Sequence, residues 1–171
     1  GGGATWGDVD HATYPFGLAA PGGIISTTGV GGPTLGGGIG YLTRGVGLSI
    51  DNLLSADVVL ADGRQVTASE YQNEDLFWAL RGGGGNFGVV TSFEFQLHEV
   101  GDIVGGPMFY EVGDAAAVLE CYREFIAEAP EQLGCFFGWQ IAPPVPFVPE
   151  DRVGDLFCAL VACWNGPHEE A

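Results

Sequence analysis

Thr27-Thr28-Gly29-Val30-Gly31-Gly32-Pro33-Thr34-Leu35-Gly36-Gly37-Gly38-Ile39-Gly40-Tyr41-Leu42, continued by Gly47-Leu48-Ser49-Ile50-Asp51-Asn52, is the stretch on which the reading of this chain turns. Eleven glycines fall between Gly22 and Gly47. Each gives up backbone entropy and offers no side chain to pack, so the segment is expected to be mostly shaped loop rather than helix or strand. Such a loop has a chemical use, because missing side chains let backbone N–H groups approach and cradle a pyrophosphate. One glycine alone is explained by a turn; the cluster points to a ligand. The P-loop version of this device needs a lysine, and the chain contains none. A Gly-x-Gly-x-x-Gly match at Gly83, Gly85 and Gly88 follows a predicted helix and precedes a predicted strand. That is the reverse of the order in a dinucleotide-binding βαβ unit, so it is not read as a fingerprint.

Working outward, Asp57 to Thr67 shows two β-rich runs around Asp62-Gly63, which predicts an antiparallel hairpin. Asn73 is placed to cap a short helix with Glu74 and Asp75 in its first turn, running through Leu76, Phe77 and Leu80 and stopping at the glycines from Gly82. Phe77 and Trp78 on it read as core. Val89, Thr91, Phe93, Phe95 and Leu97 then alternate with Val90, Ser92, Glu94 and Gln96, the period of a strand with one apolar face. Near Gly101 the character changes. A strand over 103–112 is followed by a helix capped at Asp114, with Val118, Leu119, Tyr122, Phe125 and Ile126 at helical spacing. Two more strands, over 135–141 and 156–163, flank the proline-rich loop 142–149. Strands and helices without βαβ rhythm predict an α+β class.

Composition narrows the partners. The chain has 171 residues, 46% of them hydrophobic, which suffices for one full domain or parts of two. Against 22 acidic residues stand 5 basic ones, all arginine, for a net charge of -17. Such a field repels phosphate backbones and anionic lipid heads, so nucleic-acid and membrane-surface roles are disfavoured and small molecules are the expected partners. No run approaches the roughly 20 apolar residues that cross a bilayer, and the first residues lack the pattern of a signal peptide, so a soluble, cytoplasmic protein is expected. Opening on glycines and ending just after an apolar run, the chain reads as an internal fragment. Acid excess without lysine suits a protein kept soluble in high salt, where screening relieves self-repulsion; an ordinary acidic bacterial protein is the other reading. Cys121, Cys135, Cys158 and Cys163 show no paired spacing, so no metal site is expected and buried, reduced thiols are. Cys158 and Cys163 should point to opposite faces of one strand.

The glycine string, together with Asp75-Leu76-Phe77-Trp78-Ala79-Leu80-Arg81-Gly82-Gly83-Gly84-Gly85-Asn86-Phe87-Gly88-Val89-Val90-Thr91, closely resembles the berberine-bridge-enzyme-like FAD-linked oxidases, which have the vanillyl-alcohol-oxidase type of FAD-binding fold. The likeness is strong from about Gly1 to Val100 and weaker beyond. It implies that residues 1–100 are the later half of a two-subdomain FAD-binding domain and that 101–171 begin an antiparallel-sheet substrate domain. It also implies FAD as cofactor, with Thr28, Gly29, Gly31, Gly32, Gly36, Gly37, Gly40 and Tyr41 along the flavin and its pyrophosphate, and Asn52 and Val89 lining the pocket. The activity implied is removal of a hydride from an alcohol, amine or sugar carbon, with oxygen or another acceptor reoxidising the flavin. Many relatives tether FAD through a histidine in an earlier loop and a cysteine whose matching position here is Ile25. Isoleucine has no nucleophile, so one histidyl link or none is implied. A noncatalytic flavin-binding or structural remnant and a nicotinamide-dependent dehydrogenase remain the alternatives.

No catalytic group is assigned, since the family's substrate-side groups come largely from the later substrate domain. His11, His98 and His168 lack partners at metal spacing and read as surface residues. Asp8 and Asp10 could share a strand face as an acid/base pair, but a scaffold role is preferred. If the acidic composition is an adaptation to salt, thermal denaturation should show stability rising from about 0.1 to about 2 M NaCl; stability greatest at the low end contradicts it.

Overall fold

Thr5 starts the first helix, α1 (Trp6–Thr13), in the computed structural model, which describes residues 1–171. The Thr5 hydroxyl accepts the Asp8 N–H at 3.3 Å and the Asp8 carboxylate accepts the Thr5 N–H at 2.8 Å, a reciprocal capping box. Asp8 and Asp10 therefore sit on a helix, not on the strand face considered from sequence. The hydrogen bonds from Thr5, backbone first, hold the Asp8 carboxyl below its ordinary range, while partial burial pushes Asp10 up. Trp6 is fully buried beside Ala20 and Val30, with Phe93, Phe95 and Leu97 against them.

The chain divides into two units, Gly1–Asp102 and Ile103–Ala171. In the first, β1 (Leu18–Ala19) leads into the glycine-rich segment. That segment is not all loop: it winds into two short helices, α2 (Gly31–Gly36) and α3 (Thr43–Val46). Pro33 falls in the first turn of α2, where its missing N–H costs no helical bond. A 3₁₀ turn, Ser49–Asn52, then feeds β2 (Leu53–Val59), which pairs antiparallel with β3 (Gln65–Ser69) in the register Val59↔Gln65. The hairpin loop has three residues, Ala61 to Gly63. Gly63 donates to the Leu60 carbonyl at 2.9 Å and takes φ +84, the left-handed position that this loop requires.

The helix α4 (Glu74–Gly83) begins where expected, but Asn73 does not cap it. Asn73 is itself left-handed, and its side chain donates to the Thr67 carbonyl at 2.8 Å. Phe77 and Leu80, three residues apart on one helix face, are buried with Leu35, Leu53, Ala56, Val58 and Ala68. Trp78, about 100° round the helix from Phe77, is 80% exposed, which corrects its assignment to the core. β4 (Val89–Phe95) completes a sheet of order β3-β2-β4, and β5 (His98–Glu99) pairs with β1. Asp57 pairs with Ser92 but Val58 pairs with Val90, so β4 carries one extra residue, Thr91. This bulge reverses the side-chain alternation. Val90 packs on the core with Phe93 and Phe95, whereas Val89, placed with them by simple period, is 69% exposed.

The second unit is built on β6 (Val104–Glu111), α5 (Ala115–Glu128), β7 (Leu133–Ile141) and β8 (Leu156–Trp164), with the antiparallel order β6-β8-β7. Asp114 stands at the start of α5 without making a side-chain cap. Tyr122 fastens the helix to β7 by donating to the Cys135 carbonyl at 2.8 Å, while Leu119 and Phe125 are exposed. All four cysteines are free thiols; Cys158 and Cys163 are buried, but Cys135 is half-buried and Cys121 exposed, against the expectation for those two. Burial pushes the Cys163 thiol up. Both units are thus α+β with antiparallel sheets. No helix is long and apolar enough to cross a membrane. The two neighbours on α4 should separate cleanly in urea denaturation: Phe77→Ala should cost ~3–5 kcal/mol and Trp78→Ser should stay within ~0.5 kcal/mol.

Candidate functional site

The glycine segment is held by three close approaches. Gly22 lies against the Trp6 indole, where an added Cβ would stand 2.6 Å from a ring carbon. Gly40 is buried against Gly22, and a Cβ on it would collide with the Gly22 carbonyl oxygen. Gly38 likewise rests on the Ser49 side chain. Hydrogen bonds fix the same loop: the Ser49 N–H donates to the Gly38 carbonyl and the Ile50 N–H to the Gly37 carbonyl, both at 3.0 Å. Gly40 uses its own N–H on the Thr43 hydroxyl at 2.9 Å. Gly37 and Gly40 therefore shape the loop through bonds already made.

The turn before α2 is different. Thr28 is held on both sides, its N–H donating to the Ile25 carbonyl and its carbonyl accepting from Trp6, and the Val30 N–H goes to the Ala4 carbonyl. Between them the Gly29 N–H makes no backbone bond. Gly31 and Gly32 open α2, so their N–H groups have no carbonyl one turn back. Gly32 and Gly36 have nothing within 4 Å of where a Cβ would be, and Gly29 has only the Ala4 oxygen at 4.0 Å. Nearby in the chain, the Thr34 and Ser49 hydroxyls are buried and unpartnered. Free donors on open glycine backbone are what an anionic, acceptor-rich group requires, and the residues fit one. Tyr41 lies half-buried just after this loop.

Asn52 and Val89 play different parts from those donors. Asn52 is 5% exposed, and its amide nitrogen is committed to the Val46 and Leu48 carbonyls at 2.8 and 2.9 Å. Its contribution is to the shape of the loop. Val89 presents an exposed side chain at the start of β4. Sequence reasoning missed two participants: Thr43, whose hydroxyl holds Gly40, and His98, which is half-buried with its Nε2 on the Asn52 Oδ1 rather than a plain surface residue. No sequence signal marks the second pair, which is separated by 46 residues. No group of three or more histidine, cysteine or acidic side chains stands together as a metal site.

The second unit has a cavity of about 410 Å³ walled by Phe109, Phe147 and Phe157. Arg152 at its edge bonds both Glu111 oxygens at 2.9 and 3.0 Å and Asp155 at 2.8 Å. Glu111 first, then Asp155, hold the guanidinium more firmly charged than usual. With that cation already satisfied, the cavity offers no free positive group to an anion.

A glycine turn with free N–H groups, on an α+β unit with antiparallel sheets, fits a nucleotide-cofactor domain. Residues 1–69 match the FAD binding domain family. FAD-linked oxidoreductase pgmH of Aspergillus terreus is 38% identical over 174 residues, covering 99% of this chain and 34% of that protein. The crystal structure of 6-hydroxy-D-nicotine oxidase from Arthrobacter nicotinovorans matches with a TM-score of 0.83 at 32% identity, covering 100% of this chain and 36% of that one. Xylooligosaccharide oxidase from Myceliophthora thermophila, solved with xylobiose, matches with a TM-score of 0.79 at 31% identity over 99% of this chain and 34% of that one. The chain is a homologue of the FAD-linked oxidoreductases of the berberine-bridge-enzyme-like group and spans about a third of the length of the relatives it matches.

Two glycine substitutions separate shape from contact. Gly40→Ala forces a Cβ into backbone and should cost ~1–3 kcal/mol in chemical denaturation. Gly32→Ala meets open space, should change stability by less than ~1 kcal/mol, and should still weaken FAD binding in a flavin fluorescence titration.

Proposed function

We propose that this chain is part of an FAD-dependent oxidoreductase that removes a hydride from an alcohol, amine or sugar carbon, with oxygen or another acceptor reoxidising the flavin. The observation that supports this reading best is the set of free N–H groups at Gly29, Gly31 and Gly32, inside the residues that match the FAD binding domain family. In this reading 1–100 form the later part of the FAD-binding domain and 101–171 the beginning of a substrate domain. Bound FAD supplies the hydride acceptor.

The residues of this chain bind and orient. Gly29, Gly31 and Gly32 donate N–H groups to the pyrophosphate, Gly36 leaves room for it, and Gly37, Gly40 and Asn52 keep the loop in shape. Thr28 and Tyr41 border the cradle in sequence, and Val89 gives an apolar wall. The cradle contains amides and hydroxyls only, so the proton acceptor that accompanies hydride removal is supplied elsewhere. Ile25 is 59% exposed, and its backbone carbonyl anchors the Thr28 turn. Its side chain has no nucleophile, so no covalent bond to the flavin forms from this position. Two of the solved relatives are named as oxidases of a nicotine derivative and of a xylooligosaccharide, which supports a small-molecule substrate and leaves its class broad.

The visible absorption spectrum of the full-length protein after acid precipitation and washing tests this. Yellow colour released to the supernatant is the result for noncovalent FAD, and colour kept in the pellet is the result for a link through a residue other than Ile25. No flavin in either fraction, even after reconstitution with FAD, contradicts the proposal.

A further inference from the structure

We infer that His98 is a positioning residue for the cofactor loop, acting through Asn52 on the turn that carries the carbonyls of Gly37 and Gly38 in place; this rests on the flavin reading of that loop. Asn52 is almost fully buried, and both hydrogens of its amide nitrogen are spent, one on the Val46 carbonyl and one on the Leu48 carbonyl. These bonds fix which end of the amide is oxygen. The Oδ1 then faces the His98 Nε2. Only an N–H there makes a bond, so Nε2 carries the proton; a proton on Nδ1 alone would set two lone pairs against each other.

The consequence runs along the backbone. Val46 and Leu48 flank Gly47, which takes φ +85, and their carbonyls are drawn to one point by the Asn52 amide. The next two residues, Ser49 and Ile50, donate to Gly38 and Gly37 at 3.0 Å. Asn52 is anchored independently, since its carbonyl accepts the Gln96 N–H at 2.8 Å, and His98 is fixed by the pairing of β5 with β1 at Ala19. A two-stranded ladder thus holds an imidazole, the imidazole holds an amide, and the amide holds the turn behind the glycine loop. Without the imidazole N–H, a buried oxygen is left unpaired and the amide has reason to rotate away from its two carbonyls.

The test is amide hydrogen exchange at Ser49 and Ile50 in the flavin-free full-length protein, paired with FAD titration. His98→Leu should speed exchange at both amides roughly tenfold while leaving Val58 and Val66 in the hairpin unchanged, and should weaken FAD binding by about the same factor. His98→Gln, whose amide N–H can reach the same oxygen, should bring both values back to within about threefold of the wild type. Asn52→Asp keeps an acceptor for His98 but loses the donors to Val46 and Leu48, so it should speed exchange at Ser49 and Ile50 as His98→Leu does. The inference is overturned if His98→Leu leaves those two amides unchanged, if it speeds exchange equally in the hairpin, or if glutamine and leucine behave alike. A wild-type protein that takes up no FAD would overturn the flavin reading, and exchange in the flavin-free protein would still decide the role of His98.

Discussion

The contact on which the first unit depends is the stack of Trp6, Gly22 and Gly40. The indole is buried at the centre of a small cluster with Ala20 and Val30 and is tilted against Phe95 at 5.8 Å between ring centroids. Gly22 lies on its face and Gly40 lies on the Gly22 carbonyl. Neither position has room for a single further carbon, so two chain segments and a helix start are locked at backbone-contact distance. Between these fixed points the chain must turn at Thr28–Gly32, and that turn is where donors are left over. The free N–H groups are a by-product of packing: the Thr28 carbonyl and the Val30 N–H are taken by Trp6 and Ala4, and the Gly29 N–H between them is left without a backbone partner.

Charge plays a different part. The arginines at 64, 81 and 152 each pair with carboxylates, Asp62, Asp51, and Glu111 with Asp155, respectively. These are exposed pairs worth little singly. Their placement matters more than their energy, because Arg81 joins α4 to the Asp51 turn that precedes β2 and also lies 5.7 Å over the Phe77 ring. None of the sequence-marked residues of the glycine segment is basic, so in the proposed reading the attraction for a pyrophosphate would come from oriented peptide dipoles in a strongly acidic chain.

Most of the fold was legible because it rests on local rules. The Asp62-Gly63 hairpin, α4, β4 and the β6-α5-β7-β8 run all follow from turn residues and periodicity, with boundaries shifted by one or two residues except at the start of β2, which lies four residues earlier. What was not legible depended on single tertiary events. The bulge at Thr91 reversed the faces of Val89 and Val90, and nothing in an alternating sequence announces an extra residue. Asn73 looked like a cap, but the Thr67 carbonyl was the stronger local claimant. Trp78 looked like core by composition and is turned outward by the helical angle from Phe77. Along the glycine segment, the density of glycines marked shaped backbone, yet it could not separate glycines with open space where a side chain would stand, such as Gly32 and Gly36, from glycines packed too closely for one, such as Gly22 and Gly40. That distinction lies in partners far along the chain.

The central claim is that the turn at Gly29–Gly32 donates its backbone to the flavin pyrophosphate. The most direct measurement is the backbone amide NMR response at Gly29, Gly31 and Gly32 on addition of FAD, with adenosine and riboflavin, which lack the pyrophosphate, as comparisons. The account predicts that FAD shifts these three amides downfield and slows their exchange while neither nucleoside alone does so. Saturating FAD that leaves all three amides unmoved would contradict it.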